Sequence, residues 1–242
     1  MALTIQEEKI RERALAFARE NKKAISARLT DLAIYLPEDC PVSVFMAGSP
    51  GAGKTEASKE LIEAVGGALL RIDPDELRDE FDGYTGSNAW LFQPAVSVLV
   101  ERILDVAFKQ KQSFLLDGTL TNHEKARQNI KRSLGKKRVV QILYVYQEPR
   151  QAWAFVQDRE ALEGRRIDPE TFIQQYFEAR KVVNCLKKEF GKAIEVDLLL
   201  KNIDGSDRFA KANVDQIDNH IPEKYDSQAL RQFLYSLRAD TP

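Results

Sequence analysis

From residue 42 onward the chain alternates two hydrophobic rhythms. Short apolar runs occur at Val42–Ala47, Ala68–Asp73, Ser113–Asp117, Arg138–Tyr146 and Glu195–Leu200. Between them lie stretches with apolar residues every three or four positions, such as Val96, Leu99, Ile103, Leu104 and Ala107 within 89–111. The first rhythm predicts buried strands and the second predicts amphipathic helices. Helices are expected at 54–65 (closed by Gly66-Gly67), 89–111, 124–134, 149–163, 169–190 and 228–237, with a short charged one ending near Phe81. Strand and helix in strict alternation predict an open parallel sheet of about five strands, with helices on both faces. Residues 203–226 fit this alternation least.

The N-terminal residues 1–36 read as a helical arm, with Ile10, Ala14, Phe17, Ala18, Ile25, Leu29 and Leu32 in one stripe. Thr4 and Glu7 are spaced as a capping box. Pro37 and Pro41 separate this arm from a domain spanning 42–242. The arm reads as a brace packed on the core, the alternative being a helix that mimics or binds a partner protein near the ligand site.

Composition narrows the class. The 36 basic and 37 acidic side chains leave a net charge of −1. A protein that tracks nucleic acid usually carries a basic excess, so nucleic acid is not the expected main partner. Cys40 and Cys185 suit neither a disulfide framework nor a metal motif and read as reduced thiols of a cytoplasmic protein. The first residues lack the apolar segment of a signal peptide, and no apolar run reaches a membrane span.

The sharpest motif is Gly48-Ser49-Pro50-Gly51-Ala52-Gly53-Lys54-Thr55, a complete G-x-x-x-x-G-K-[ST] between a strand and a helix. Its glycines let main-chain N–H groups approach a polyphosphate, and the following helix points its positive end there. Lys54 is expected on the β- and γ-phosphates and Thr55 on Mg²⁺. The donor is therefore ATP or GTP. No Asn-Lys-x-Asp guanine reader follows the motif, which disfavours a GTPase and leaves the kinase branch of P-loop folds.

The remaining candidates cluster near strand ends, where ligands collect in open α/β sheets. Asp75 is the expected general base for an acceptor hydroxyl, while Asp73-Pro74 reads as a helix cap. Asp117, at the end of the third strand, is positioned to hold Mg²⁺ directly or through water, or to hydrogen-bond the acceptor. Arg159 and Arg166, with Arg165 as the alternate, are expected on a lid spanning about 150–190 and hinged at Gly164. Loop 83–88 with Trp90 could line the acceptor site, or simply cover a core tryptophan.

At these residues the chain resembles the zeta toxin family of bacterial P-loop kinases. After the phosphate loop, Ile72-Asp-Pro-Asp75-Glu-Leu-Arg78 is similar to the family's Ile-Asp-x-Asp-x-Phe-Arg, whose second Asp is the base. Leu116-Asp117-Gly118-Thr119 is similar to Ile-Glu-Gly-Thr, whose acidic residue contacts the acceptor sugar. Asp158-Arg159-Glu160 is similar to Arg-Tyr-Glu, and Arg166-Ile-Asp-Pro169 to Arg-Ala-Thr-Pro. The resemblance spans residues 42–175 and implies that Arg78, Asp117 and Thr119 meet the acceptor. It implies phosphorylation of UDP-N-acetylglucosamine at the 3′-hydroxyl, and an antitoxin partner. Asp117 is one methylene shorter than the family's Glu. Other small-molecule kinases, of nucleosides, shikimate-like acids or antibiotics, share the same residues' chemistry. A nucleotide-binding regulatory switch without an acceptor is the alternative of another class.

Overall fold

The computed structural model describes residues 3–202, 208–222 and 225–239; Met1 and Ala2 of the arm, residues 203–207 and 223–224, the last three residues and the side chains of Glu163, Arg208, Leu237, Arg238 and Ala239 lie outside that description. The five expected strands are present as β1 (Val42–Ala47), β2 (Leu70–Ile72), β3 (Phe114–Leu116), β4 (Val139–Tyr146) and β5 (Glu195–Lys201), all parallel. A sixth, β6 (Arg208–Lys211), pairs antiparallel with β5, so the order is β2-β3-β1-β4-β5-β6. The helices are α1 (Ile5–Leu29), α2 (Lys54–Ala64), α3 (Ala89–Lys109), α4 (His123–Gly135), α5 (Pro149–Glu163), α6 (Pro169–Phe190) and α7 (Ser227–Ala239).

Alternation along β1 divides the core. Phe45 and Ala47 join a large apolar cluster built with α1, α3, α4, α5 and α6, while Val44 and Met46 join a smaller one with Ala57, Leu61 and Ile62 of α2. Strands buried on both faces by opposite side chains are what a parallel sheet covered by helices requires. α3 supplies ten buried residues and is the central helix of the larger cluster.

α1 lies along α3 through Ala14, Ala18 and Ile25. The expected capping box is formed, with Thr4 and Glu7 bonding each other's backbone N–H. The helix stops at Leu29 rather than continuing to 36. Thr30 bonds back to the Ser26 carbonyl at 2.7 Å, and Asp31 turns the chain by accepting from Ala33 N at 2.9 Å. The Gln112 amide donates to the carbonyls of Thr30 (3.0 Å) and Tyr35 (2.8 Å), tying the arm's end to the segment before β3. The short charged helix expected after β2 is a 3₁₀ turn, Glu76–Glu80. It rests on α1, where Phe17 meets Phe81 edge to face at 5.6 Å and Arg28 pairs with Glu80. Among the described residues, no helix is long and apolar enough to cross a membrane.

Candidate active site

The phosphate loop joins the end of β1 to the start of α2. Gly51 has φ of 70°, and a Cβ there would strike the Ala152 carbonyl of α5. Only glycine combines that backbone region with that approach. Ser49 and Ala52 are buried, Pro50 sits between them, and Gly48 donates to the Thr119 carbonyl at 3.4 Å. The loop is thus seated against the segment that follows β3. The Lys54 ammonium turns into the loop and donates to the carbonyls of Gly48 (3.1 Å) and Ser49 (2.7 Å). Burial pushes the lysine down to about 8, partly countered by the charges of Asp117 and Asp75, while Arg159 adds to the lowering. Those influences place all three groups in electrostatic reach of Lys54. Thr55 stands in the first turn of α2, next to the loop.

Asp117 follows β3 and is buried. Its carboxylate accepts from the Ser58 hydroxyl of α2 (3.0 Å) and from Arg71 of β2 (2.8 Å). Arg71 also pairs with Asp73 and with Glu76 (2.5 Å) and donates to Ser58 (3.0 Å). Burial works against the Arg71 charge, but the hydrogen bond to Asp117 and the charge of Asp73 outweigh it and raise the guanidinium further. Sequence reasoning left Arg71 without a role. Its only signal was a charged residue between Leu70 and Ile72 in a strand otherwise apolar.

Asp73 does the work expected of a cap: its Oδ1 accepts from Asp75 N at 2.7 Å. Burial and the neighbouring Asp117 and Asp75 push its carboxyl up. Asp75 is free of capping duty and half-exposed. It pairs with Arg78 from its own turn and with Arg165 from the segment after α5. Burial favours the protonated Asp75, yet the two guanidiniums outweigh it and hold the carboxyl below the ordinary aspartate range. Arg78 is itself buried and donates to Gln93 of α3 at 2.9 Å.

The three arginines expected on a lid separate. Gly164 ends α5 with φ of 69° and lies 3.5 Å, by its would-be Cβ, from the Thr85 carbonyl of the 83–88 loop. Arg159 lies 3.8 Å from Glu56 in the first turn of α2. Arg165, the alternate, is the one that reaches Asp75. Arg166 is 63% exposed and pairs with Glu160 at 3.7 Å, which leaves it at the surface. Two consecutive residues after a helix point in different directions, so one of them faces inward and the other does not. Thr119 lies beside the loop, its hydroxyl 3.2 Å from that of Thr121. The 83–88 loop is closed on itself by Asn88, which bonds Thr85 N and the Gly83 carbonyl, and Trp90 beside it is half-exposed rather than core.

Next to the loop is a cavity of about 350 Å³ lined by Gly51, Gly53, Phe155, Arg159, Leu162 and Lys201 among others. A larger surface groove of about 450 Å³ between α6 and α7 is lined by Glu170, Phe177 and Arg231 and touches none of these residues. The first cavity is the one joined to the phosphate loop. Among the described residues, no group of three or more His, Cys, Asp or Glu side chains forms a metal cluster.

No curated relative matches the sequence. Among solved structures, the fold is similar to a chain of the PezAT chromosomal toxin–antitoxin system of Streptococcus pneumoniae, at 14% identity and a TM-score of 0.61, covering 98% of this chain and 95% of that one. It is also similar to a chain of the AvrRxo1-ORF1:ORF2 complex with ATP, at 13% identity and a TM-score of 0.57, covering 91% of this chain and 75% of that one. At such identities these likenesses speak for the fold alone. The family assignment comes from the sequence: the zeta toxin model matches residues 25–215, more than half of the chain and inclusive of every site residue above, and the protein belongs to the zeta toxin family.

Proposed function

We propose that the protein is a phosphotransferase that moves the γ-phosphate of ATP or GTP to a hydroxyl of a small acceptor. The observation that carries this reading is Asp75: a carboxylate held anionic by Arg78 and by Arg165 of the lid, within electrostatic reach of the phosphate-loop lysine. A carboxylate so placed accepts the acceptor's hydroxyl proton as the new O–P bond forms and the bond to the β-phosphate oxygen breaks. The products are the phosphorylated acceptor and the nucleoside diphosphate. Lys54 and the loop N–H groups hold the β- and γ-phosphates, and Arg159 neutralises charge from the lid side.

Mg²⁺ fits the donors present. The Thr55 hydroxyl and the Asp117 carboxylate are hard oxygen ligands beside the phosphate loop, and they are the residues that would hold it. When bound, the ion neutralises charge on the phosphate oxygens.

Family membership supports a UDP-sugar such as UDP-N-acetylglucosamine as acceptor, with Arg78, Asp117 and Thr119 facing it, and supports an antitoxin as protein partner. One observation favours a second reading, a different small-molecule acceptor. Asp117 is shorter than the family's glutamate and is already engaged by Arg71 and Ser58. Nucleotide-dependent release of diphosphate, measured against a panel of nucleotide sugars, nucleosides and hydroxy acids, separates the two.

The test of the reaction is Asp75→Asn. Turnover should fall roughly 10²- to 10⁴-fold while MgATP binding, followed by titration with a fluorescent analogue, stays within twofold or so. Retained turnover would remove Asp75 as base.

A further inference from the structure

Lys201 belongs to no motif. It is the last residue of β5, almost 150 positions from the phosphate loop. Its side chain nevertheless lies on that loop. Gly53 has φ of 81°, and a Cβ there would collide with the Lys201 ammonium and stand 2.8 Å from its Cε. The glycine before Lys54 therefore does two things: it supplies the loop's left-handed turn and leaves room for a second cation.

The ammonium is half-buried, and burial pushes it below the ordinary lysine range, with Glu56 partly countering. Among the described residues, none hydrogen-bonds or ion-pairs with it. An ammonium on the face of a phosphate loop, with no partner among the described residues, is available to a ligand. Lys201 lines the 350 Å³ cavity from the sheet side, and Arg159 lines it from the lid side. Glu56 lies between them, 3.8 Å from Arg159 and close enough to act on Lys201. Two cations converge on one carboxylate at the edge of a phosphate-binding loop. A compact ammonium with three donors and no acceptor suits a phosphate chain as its ligand.

We infer that Lys201 is a donor-binding residue, a second phosphate-chain cation that meets the nucleotide from the end of β5, in the cavity that Arg159 also lines. The inference rests on the nucleotide reading above and adds the sheet-side half of the clamp. In the nucleotide-free protein Glu56 partly neutralises both cations, and the phosphate chain takes that role on binding.

The experiment is an equilibrium titration of wild type, Lys201→Met and Lys201→Arg with a fluorescent ATP analogue and Mg²⁺, repeated with inorganic tripolyphosphate as competitor. Thermal melting shows that each variant is folded, and Lys201→Gln replaces the Met variant if that one is not. Lys201→Met should weaken both ligands by about tenfold, and Lys201→Arg by no more than about twofold. If wild type binds and Lys201→Met binds equally well, the inference fails alone. If ATP weakens while tripolyphosphate does not, the residue reads the nucleoside and the phosphate assignment is wrong. If wild type binds neither ligand, the nucleotide reading itself falls.

Discussion

The two halves of the site are built by different means. The donor half is mainly one continuous loop, Gly48–Thr55, whose geometry comes from left-handed glycines and whose charge comes mainly from the next residue, Lys54. The proposed acceptor half is a web of guanidinium and carboxylate groups drawn from β2, the turn after it, the end of β3 and the segment after α5. Backbone makes the first, and side chains make the second. A backbone cradle can be recognised from a string of letters. A side-chain web depends on which residues meet in space.

The contrast is broken most severely at Arg71. It is almost buried and holds Asp117, Asp73 and Glu76 together. Arg71→Met should lower stability by about 3 kcal/mol, because it leaves buried carboxylates without their counter-charge. Denaturant unfolding measures this. If the halves are separable, the folded fraction still binds MgATP with little loss while acceptor-dependent turnover collapses. A parallel loss of ATP affinity would show that the web also shapes the donor side.

A pH titration sharpens the donor half. Lys54 lies at about 8 in the free protein because it is buried. Its protonated form is the one that attracts phosphate, so affinity should hold steady below that pH and fall as the pH rises through it. A binding curve unchanged from pH 7 to 9.5 would contradict this.

Arg165 tests the join between the halves. It is one of two guanidiniums holding Asp75 below the ordinary aspartate range. With both in place the base stays ionised down to acid pH, and activity should show no acid limb near neutrality. Arg165→Met removes one of them, so the acid limb of kcat/KM should move to higher pH, and Arg78→Met should move it the same way. The smallest effect is expected at Arg28, which is 60% exposed. Breaking its pair with Glu80 by Arg28→Ala should cost no more than about 1 kcal/mol.

How much of this was legible follows the same division. The phosphate loop, the five parallel strands and the placing of Asp75 and Asp117 at strand ends follow from local pattern and motif. The lid's inward arginine did not, because periodicity stops at Gly164 and gives no basis for choosing between Arg165 and Arg166. Arg71 was missed because two of its partners, Asp117 and Ser58, are brought in by β3 and α2. Lys201 was invisible because the strand bearing it is far away in sequence. β6 was missed because Arg208-Phe-Ala-Lys211 has no alternation of its own and exists as a strand only through pairing with β5. The early end of α1 turned on a threonine hydroxyl bonding back one turn, a detail weaker than the stripe that suggested continuation.

The amino-terminal helix sets a limit on shortening the protein. The family match starts at residue 25, yet Ala14 and Ala18 seal the apolar flank of α3, and Phe17 backs the turn that carries Asp75. The matched sequence region and the packed core thus begin at different places. A truncation cut to the family boundary would leave α3 with a wet hydrophobic seam and the turn after Asp75 without its rear wall.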